Sequence, residues 1–140
     1  MSVTTAQGFL AAGVAAGLKS TSAKDVALVV NIGPQARAAA VFTTNRFAAA
    51  PVIWSRQILL GNDGRIVVLN SGGANACTGP QGFLDTHATA EFVSAELTST
   101  GTIEVGAGEV FVCSTGLIGE PLNMPALNKG VKQAITDLSA

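Results

Sequence analysis

The residues Val112-Cys113-Ser114-Thr115-Gly116-Leu117-Ile118-Gly119 combine the side chains and spacing from which a cradle for negative charge can be built. The run Val110-Phe111-Val112-Cys113 has the length and residue types of a buried strand, and it stops abruptly at small residues. Thr115 then offers a hydroxyl donor, and Gly116 an amide with no side chain to shield it. Donors gathered at a strand end are the raw material of an oxyanion hole or an anion-binding nest. On this segment alone an ordinary Gly-containing turn is the commoner arrangement, so the reading needs support from elsewhere.

A second unusual segment is Asn70-Ser71-Gly72-Gly73-Ala74-Asn75-Ala76-Cys77-Thr78-Gly79. Its amides, hydroxyls and glycines suit either a self-bonded, Asx-rich loop or a loop that faces a ligand. Other chemistries find little material. His87 is the only imidazole, and its place beside an apolar helical stripe suits a half-buried structural residue better than the base of a hydrolytic triad. Asp85 and Glu91 fit the solvated face of the same helix, so paired-carboxylate catalysis has no support. Neither a G-x-G-x-x-G nor a G-x-x-x-x-G-K-[ST] pattern opens a helix, which argues against nucleotide binding in those modes. Cys77, Cys113 and His87 are too few for a recognisable zinc site, and no metal is expected.

The elements that must position these residues are legible from periodicity and turn residues. Gly8 to Gly17, Val26 to Val30 and Ala38 to Thr43 read as three strands close in sequence, which favours an antiparallel meander. Val52-Ile53-Trp54 can be a strand, whereas Arg56 to Leu60 could begin a short helix, and the pattern does not decide between them. Arg65 to Asn70 is a clear strand. The stripe Leu84, Ala88, Phe92 and Ala95, widened by Val93 and Leu97, predicts a helix over Pro80 to Leu97 with Thr78 as its cap. After the Val110 strand, Leu127, Val131, Ala134, Ile135 and Leu138 predict a second amphipathic helix, capped by Asn123 with Pro125 in its first turn. No internal repeat or dividing linker is evident, so residues 1–140 read as a single domain or a piece of one. Strands first, then strand, helix, strand, helix, is an α+β pattern in which helices cover one face of a mixed sheet. Ser139-Ala140 follows without a Gly or Asn C-cap, and the native sequence is expected to continue.

Composition narrows the partners. Hydrophobic residues make up 48% of the chain, enough for a real core, while charged residues make up 12% and leave a net charge of −1. That balance provides no electrostatic footprint for nucleic acid or an anionic membrane. The apolar stretch Phe9 to Leu18 lacks a basic region before it and is broken by glycines, so it reads poorly as a signal peptide. No apolar run approaches the ~20 residues of a membrane span. A cytoplasmic protein with reduced cysteines is the expectation.

The string Val68-Leu69-Asn70-Ser71-Gly72-Gly73-Ala74-Asn75-Ala76-Cys77-Thr78-Gly79, followed by Val112-Cys113-Ser114-Thr115-Gly116-Leu117-Ile118-Gly119-Glu120-Pro121-Leu122, resembles the ornithine acetyltransferase family, the bifunctional glutamate N-acetyltransferases of arginine biosynthesis. Gly8-Phe9, the stretch Ala11 to Lys19, Ala40-Val41-Phe42-Thr43, Ala50-Pro51-Val52 and Asp85-Thr86-His87-Ala88 are similar to the family in order and spacing, so the resemblance covers essentially the whole chain. It implies a layered αββα fold of the N-terminal-nucleophile type, of which this chain is an incomplete part. It also implies a precursor that cuts itself between an Ala and a Thr into an α and a β chain, assembled as an α2β2 heterotetramer. The freed Thr would be the nucleophile and its own α-amine the base. Acetyl would pass from N2-acetylornithine to that Thr and then to glutamate, with acetyl-CoA a further donor in bifunctional members and no cofactor needed. Carried over residue by residue, the family's oxyanion hole falls on Thr115 and Gly116.

The sequence departs from the family pattern in one respect. Thr-Thr-Asp, Lys-Gly and Met-Ala-Thr segments, which the resemblance places further along an α chain, do not occur among these residues. The nucleophile and substrate-contacting residues are then outside the chain, which is expected to be the N-terminal part of an α chain with no turnover alone. A non-catalytic anion-binding or structural module, and a related N-terminal-nucleophile hydrolase, are the alternatives to the acetyltransferase reading.

Overall fold

A computed structural model describes residues 2–140. Its elements are β1 (Phe9–Val14), β2 (Val26–Asn31), α1 (Ala50–Ile58), β3 (Ile66–Gly73), α2 (Gly79–Ser99), β4 (Val110–Leu117) and α3 (Met124–Thr136). The four strands form one sheet in the order β1-β2-β3-β4. β1/β2 and β2/β3 pair antiparallel, and β3/β4 pair parallel, with α2 making the crossover that a parallel pair requires. This is the mixed-sheet α+β architecture expected from the order of elements.

Strand alternation builds the core. Val26, Leu28 and Val30 on β2, Ile66 and Val68 on β3, and Val110 and Val112 on β4 all point to one face and are buried. Against that face pack Ala90, Val93 and Leu97 of α2 and Leu127, Val131 and Ala134 of α3. Each fully buried Val or Leu contributes roughly 1.5–3 kcal/mol, so this layer dominates the stability of the sheet. α1 instead lies along the free edge of β4. Trp54 Nε1 donates to the Val110 carbonyl at 3.0 Å, the Ser55 hydroxyl donates to the Val112 carbonyl at 3.0 Å, and the Val112 amide donates back to Ser55 Oγ at 3.1 Å. Side chains thus stand in for a fifth strand over the first half of β4, satisfying the Val110 carbonyl and the Val112 amide and carbonyl.

Several expectations are corrected. Ala38 to Thr43 is not a strand, and the third strand of the meander is β3. The segment joins no strand: Arg37 bridges Asp63 and the Ala38 amide donates to the Asn62 carbonyl, both in the loop before β3, because β2 is already paired with β1 on one side and β3 on the other. It arches over the outer sheet face instead, enclosing a cavity of about 580 Å³ with Val67 and Phe111. The ambiguous segment around Val52 is helix from Ala50, with Pro51 in the first turn, where a missing amide costs nothing. The buried side of α2 is turned from the expected stripe. Thr86, Thr89, Ala90, Val93 and Leu97 are buried, while Leu84 is exposed. Thr86 and Thr89 tolerate burial because their hydroxyls donate to the carbonyls of Gly82 and Asp85 one turn earlier. Thr78 precedes α2 without a capping bond, its hydroxyl being donated to Asn75 Oδ1. Asn123 does cap α3, accepting from the Ala126 amide at 3.1 Å, and Leu127, Val131, Ala134 and Ile135 are buried as expected.

Candidate functional site

The two unusual segments meet at one end of the sheet. β3 and β4 run on past Asn70 and Cys113, where the sequence suggested they stop, and pair Asn70 with Ser114, Ser71 with Thr115, Gly72 with Gly116 and Gly73 with Leu117. Glycine makes this extension sterically feasible. Gly116 has φ +129° and Gly72 φ +119°, a region other residues scarcely enter. A Cβ on Gly116 would lie 2.5 Å from the Gly72 carbonyl carbon, and one on Gly72 would lie 2.7 Å from the Leu18 carbonyl oxygen. Three pieces of main chain are therefore stacked in contact: the Leu18 loop, the end of β3 and the end of β4.

Each piece is held by side chains. Asp25 is buried and accepts from the amides of Ala16 at 2.6 Å, Leu18 at 2.7 Å and Lys19 at 3.1 Å, while its main-chain carbonyl accepts from the Ser71 amide at 2.8 Å. Burial works against its charge, but the amides of Ala16, Lys19, Leu18 and Gly17 outweigh it and hold the carboxyl below its ordinary range. Asn70, also buried, donates to the Gly73 carbonyl at 3.1 Å and accepts from the Ser114 hydroxyl at 2.6 Å. Asn75 is completely buried in a left-handed conformation, φ 49°. It donates to the Gly82 carbonyl and the Thr86 hydroxyl, and accepts from Thr78. The self-bonded reading of the 70–79 segment therefore fits Asn75. Main-chain bonds from Ala74 to Leu117 and from Gly119 to Ala76, both 2.8 Å, stitch this loop to the end of β4.

Thr115 is exposed at this junction, and among the described residues its hydroxyl has no hydrogen-bond partner. Alternation places it on the outer face of the sheet with Leu69 and Cys113, bordering a second cavity of about 480 Å³. Cys113 remains solvent-accessible, yet desolvation by its neighbours pushes its thiol up, so it stays protonated at neutral pH and is a weak nucleophile. His87 is not brought into this cluster. Its ring packs on Trp54, centroids 5.0 Å apart, and its Nε2 lies 3.6 Å from Glu91, the structural placement its sequence position suggested. Among the described residues no group of three or more His, Cys, Asp or Glu is arranged to hold a metal, and no helix is long and apolar enough to cross a membrane. Sequence reasoning missed Asp25 and gave no particular role to Asn70 or Ser114. A polar residue continuing the inward alternation of Ile66 and Val68 was the available signal for Asn70.

The profile of the ArgJ family matches residues 10–140. The chain belongs to the ArgJ family. Among ArgJ relatives, the arginine biosynthesis bifunctional protein ArgJ of Streptomyces avermitilis is 59% identical over 139 residues, 99% of this chain and 35% of that protein. The ArgJ of Mycobacterium tuberculosis H37Rv is 58% identical over 136 residues, 97% of this chain and 33% of its own length. The chain thus spans about a third of the curated ArgJ proteins it matches. The crystal structure of ornithine acetyltransferase from M. tuberculosis, complexed with ornithine, superposes with a TM-score of 0.95 at 57% identity, covering 98% of this chain and 70% of that one. The arginine biosynthesis bifunctional protein argJ of Bacillus halodurans gives a TM-score of 0.85 at 34% identity, covering 95% and 66%. The ArgJ fold is therefore matched over nearly the whole of this chain.

Proposed function

We propose that this chain is the N-terminal part of an α chain in a cytoplasmic acyltransferase that moves acetyl from N2-acetylornithine to glutamate, and that its contribution is the oxyanion hole. The observation that carries the reading is the unengaged hydroxyl of Thr115 beside Gly116, held at the tip of β4 in a chain whose family includes an ornithine acetyltransferase. Successive amides of an extended strand point to opposite edges. The Val112 amide faces Ser55 and away from β3, so the Gly116 amide, an even number of residues on, is directed to that same side. One hydroxyl and one amide are then available to a developing negative charge.

The proposed chemistry needs a nucleophile from outside these residues, a threonine freed at the start of a β chain by self-cleavage of the precursor. Its hydroxyl oxygen attacks the acetyl carbonyl carbon of N2-acetylornithine while its proton passes to the threonine's own α-amine. The carbonyl oxygen becomes an oxyanion, and Thr115 and Gly116 donate to it. Collapse breaks the C–N bond, the leaving amine takes the proton, and ornithine departs, leaving an acetyl ester. Glutamate's amine attacks that ester through a second oxyanion in the same cradle, yielding N-acetylglutamate and the free hydroxyl. Acetyl-CoA can supply the first acetyl by the same steps, its thiol leaving in place of the amine. The β chain of the same precursor is the required partner, in an α2β2 assembly.

In the complete, processed protein, Thr115→Ala is expected to lower kcat by about 10²–10³ with the protein folded, the effect of removing one oxyanion donor. Steady-state kinetics with N2-acetylornithine and glutamate checks it. An unchanged kcat would overturn the assignment and leave the segment as a structural or anion-binding module.

A further inference from the structure

We propose that Asn70 and Ser114 are positioning residues for the Thr115–Gly116 pair; the proposal rests on the oxyanion-hole reading above. Asn70 and Ser114 are cross-strand partners one step before Ser71–Thr115 and two before Gly72–Gly116. The Asn70 side chain reaches both ways along the end of the sheet. Its Oδ1 accepts from Ser114 Oγ at 2.6 Å, and its Nδ2 donates to the Gly73 carbonyl at 3.1 Å, on the far side of Ser71 and Gly72. One amide group thus brackets the segment against which Thr115 and Gly116 lie.

Stability alone does not call for this arrangement. The inward positions of β3 run Ile66, Val68, Asn70, and an apolar side chain at the third would extend the core without the cost of burying an amide. A buried amide with both of its ends satisfied fixes geometry more narrowly than apolar packing, because hydrogen bonds are directional. The geometry it fixes is transmitted directly. Gly116 is packed so closely on the main chain of Gly72 and Gly73 that a Cβ there would lie 2.5 Å from the Gly72 carbonyl carbon and 2.8 Å from the Gly73 nitrogen. A shift of Gly73 therefore displaces Gly116, and Ser114 is bonded to Thr115 through the chain.

The test is a kinetic double-mutant cycle in the complete, processed protein, with Ser114→Ala, Thr115→Ala, both together, and Ser114→Thr. Ser114→Ala is expected to lower kcat roughly ten- to hundredfold, as misplacement of a catalytic group does, with KM for N2-acetylornithine unchanged. Ser114→Thr, which keeps the hydroxyl, is expected to restore kcat and supplies the folded comparison if the alanine variant is poorly soluble. In the Thr115→Ala background the loss from Ser114→Ala is expected to shrink severalfold, since both act on one oxyanion. If Thr115→Ala lowers kcat but Ser114→Ala does not, or if the two losses simply multiply, or if Ser114→Thr fails to restore kcat, positioning is overturned and the oxyanion reading stands. If Thr115→Ala leaves kcat unchanged, both fall.

Discussion

Asp25 is the residue through which acid should loosen the site. Its carboxylate accepts from three amides of the Leu18 loop and its main-chain carbonyl accepts from the Ser71 amide, so it ties that loop to the end of β3. Its carboxyl is held lower in the folded protein than the ordinary value of about 3.9, meaning that the unfolded chain binds the proton more readily. The contribution is therefore complete above about pH 4 and is lost as pH falls through the lower, folded-state value. Asp25→Asn keeps the volume but sets an amide donor against backbone donors, and should cost about 1–3 kcal/mol at neutral pH. Urea midpoints of the complete protein, measured between pH 3 and pH 7, should fall toward acid in the native protein more steeply than in the variant. Parallel curves would remove Asp25 from this role. At this scale, legibility was uneven. Thr115 and Gly116 stood out because an apolar run ended on them, whereas Asp25 precedes an apolar run as any turn residue might, and its acceptor role depends on a loop folding back onto it.

Helices were easier to read than strand ends. Pro80, Asn123 and Pro125 mark helix starts by chemistry that acts within a single turn, and the buried residues of α3 follow its period. The ends of β3 and β4 escaped because glycine is read as a stop, yet here Gly72 and Gly116 let two strands continue in contact at positive φ. Ala38 to Thr43 erred in the opposite sense, its composition suiting a strand beside β2, which is already paired on both sides. The orientation of α2 was misjudged because threonines that bond one turn back can be buried as readily as leucine is exposed. The glycine pair makes a sharp prediction for the element. Gly116→Ala places a methyl against the main chain of Gly72 in a φ region costing about 1–3 kcal/mol for any other residue. The thermal midpoint of the complete protein should drop by several degrees, and the acetyl transfer proposed above should be largely lost. Gly119→Ala is the control, because a Cβ there meets nothing within 4 Å although φ is +83°, and it should retain more of both. Equal losses in the two variants would mean that backbone strain, not the Gly72 contact, sets the requirement at Gly116.

The molecule as a whole presents two unlike faces. One side of the sheet is sealed by α2 and α3, while the other carries Val67, Phe111 and Cys113 beneath an arching segment whose Val41 and Phe47 are exposed, with Leu69 in the neighbouring cavity. Leu60, Leu117 and Ile118 add further exposed apolar surface. Large apolar side chains left this exposed mark an interaction site or an aggregation liability, and a net charge of −1 provides little repulsion to keep copies apart. The chain spans about a third of its ArgJ relatives, and on the reading proposed above the rest of the α chain and the β chain would cover this surface. Residues 1–140 expressed alone should therefore bind a hydrophobic dye strongly and self-associate, with a sedimentation coefficient that rises with concentration. The complete protein should show weak dye binding at the same molar concentration. Replacing Val41 and Phe47 together with Lys should reduce self-association of the short chain without unfolding it, because neither side chain belongs to the buried core. A short chain that is monomeric and dye-silent would show instead that the outer face needs no cover, and that the apolar arch over the sheet is sufficient by itself.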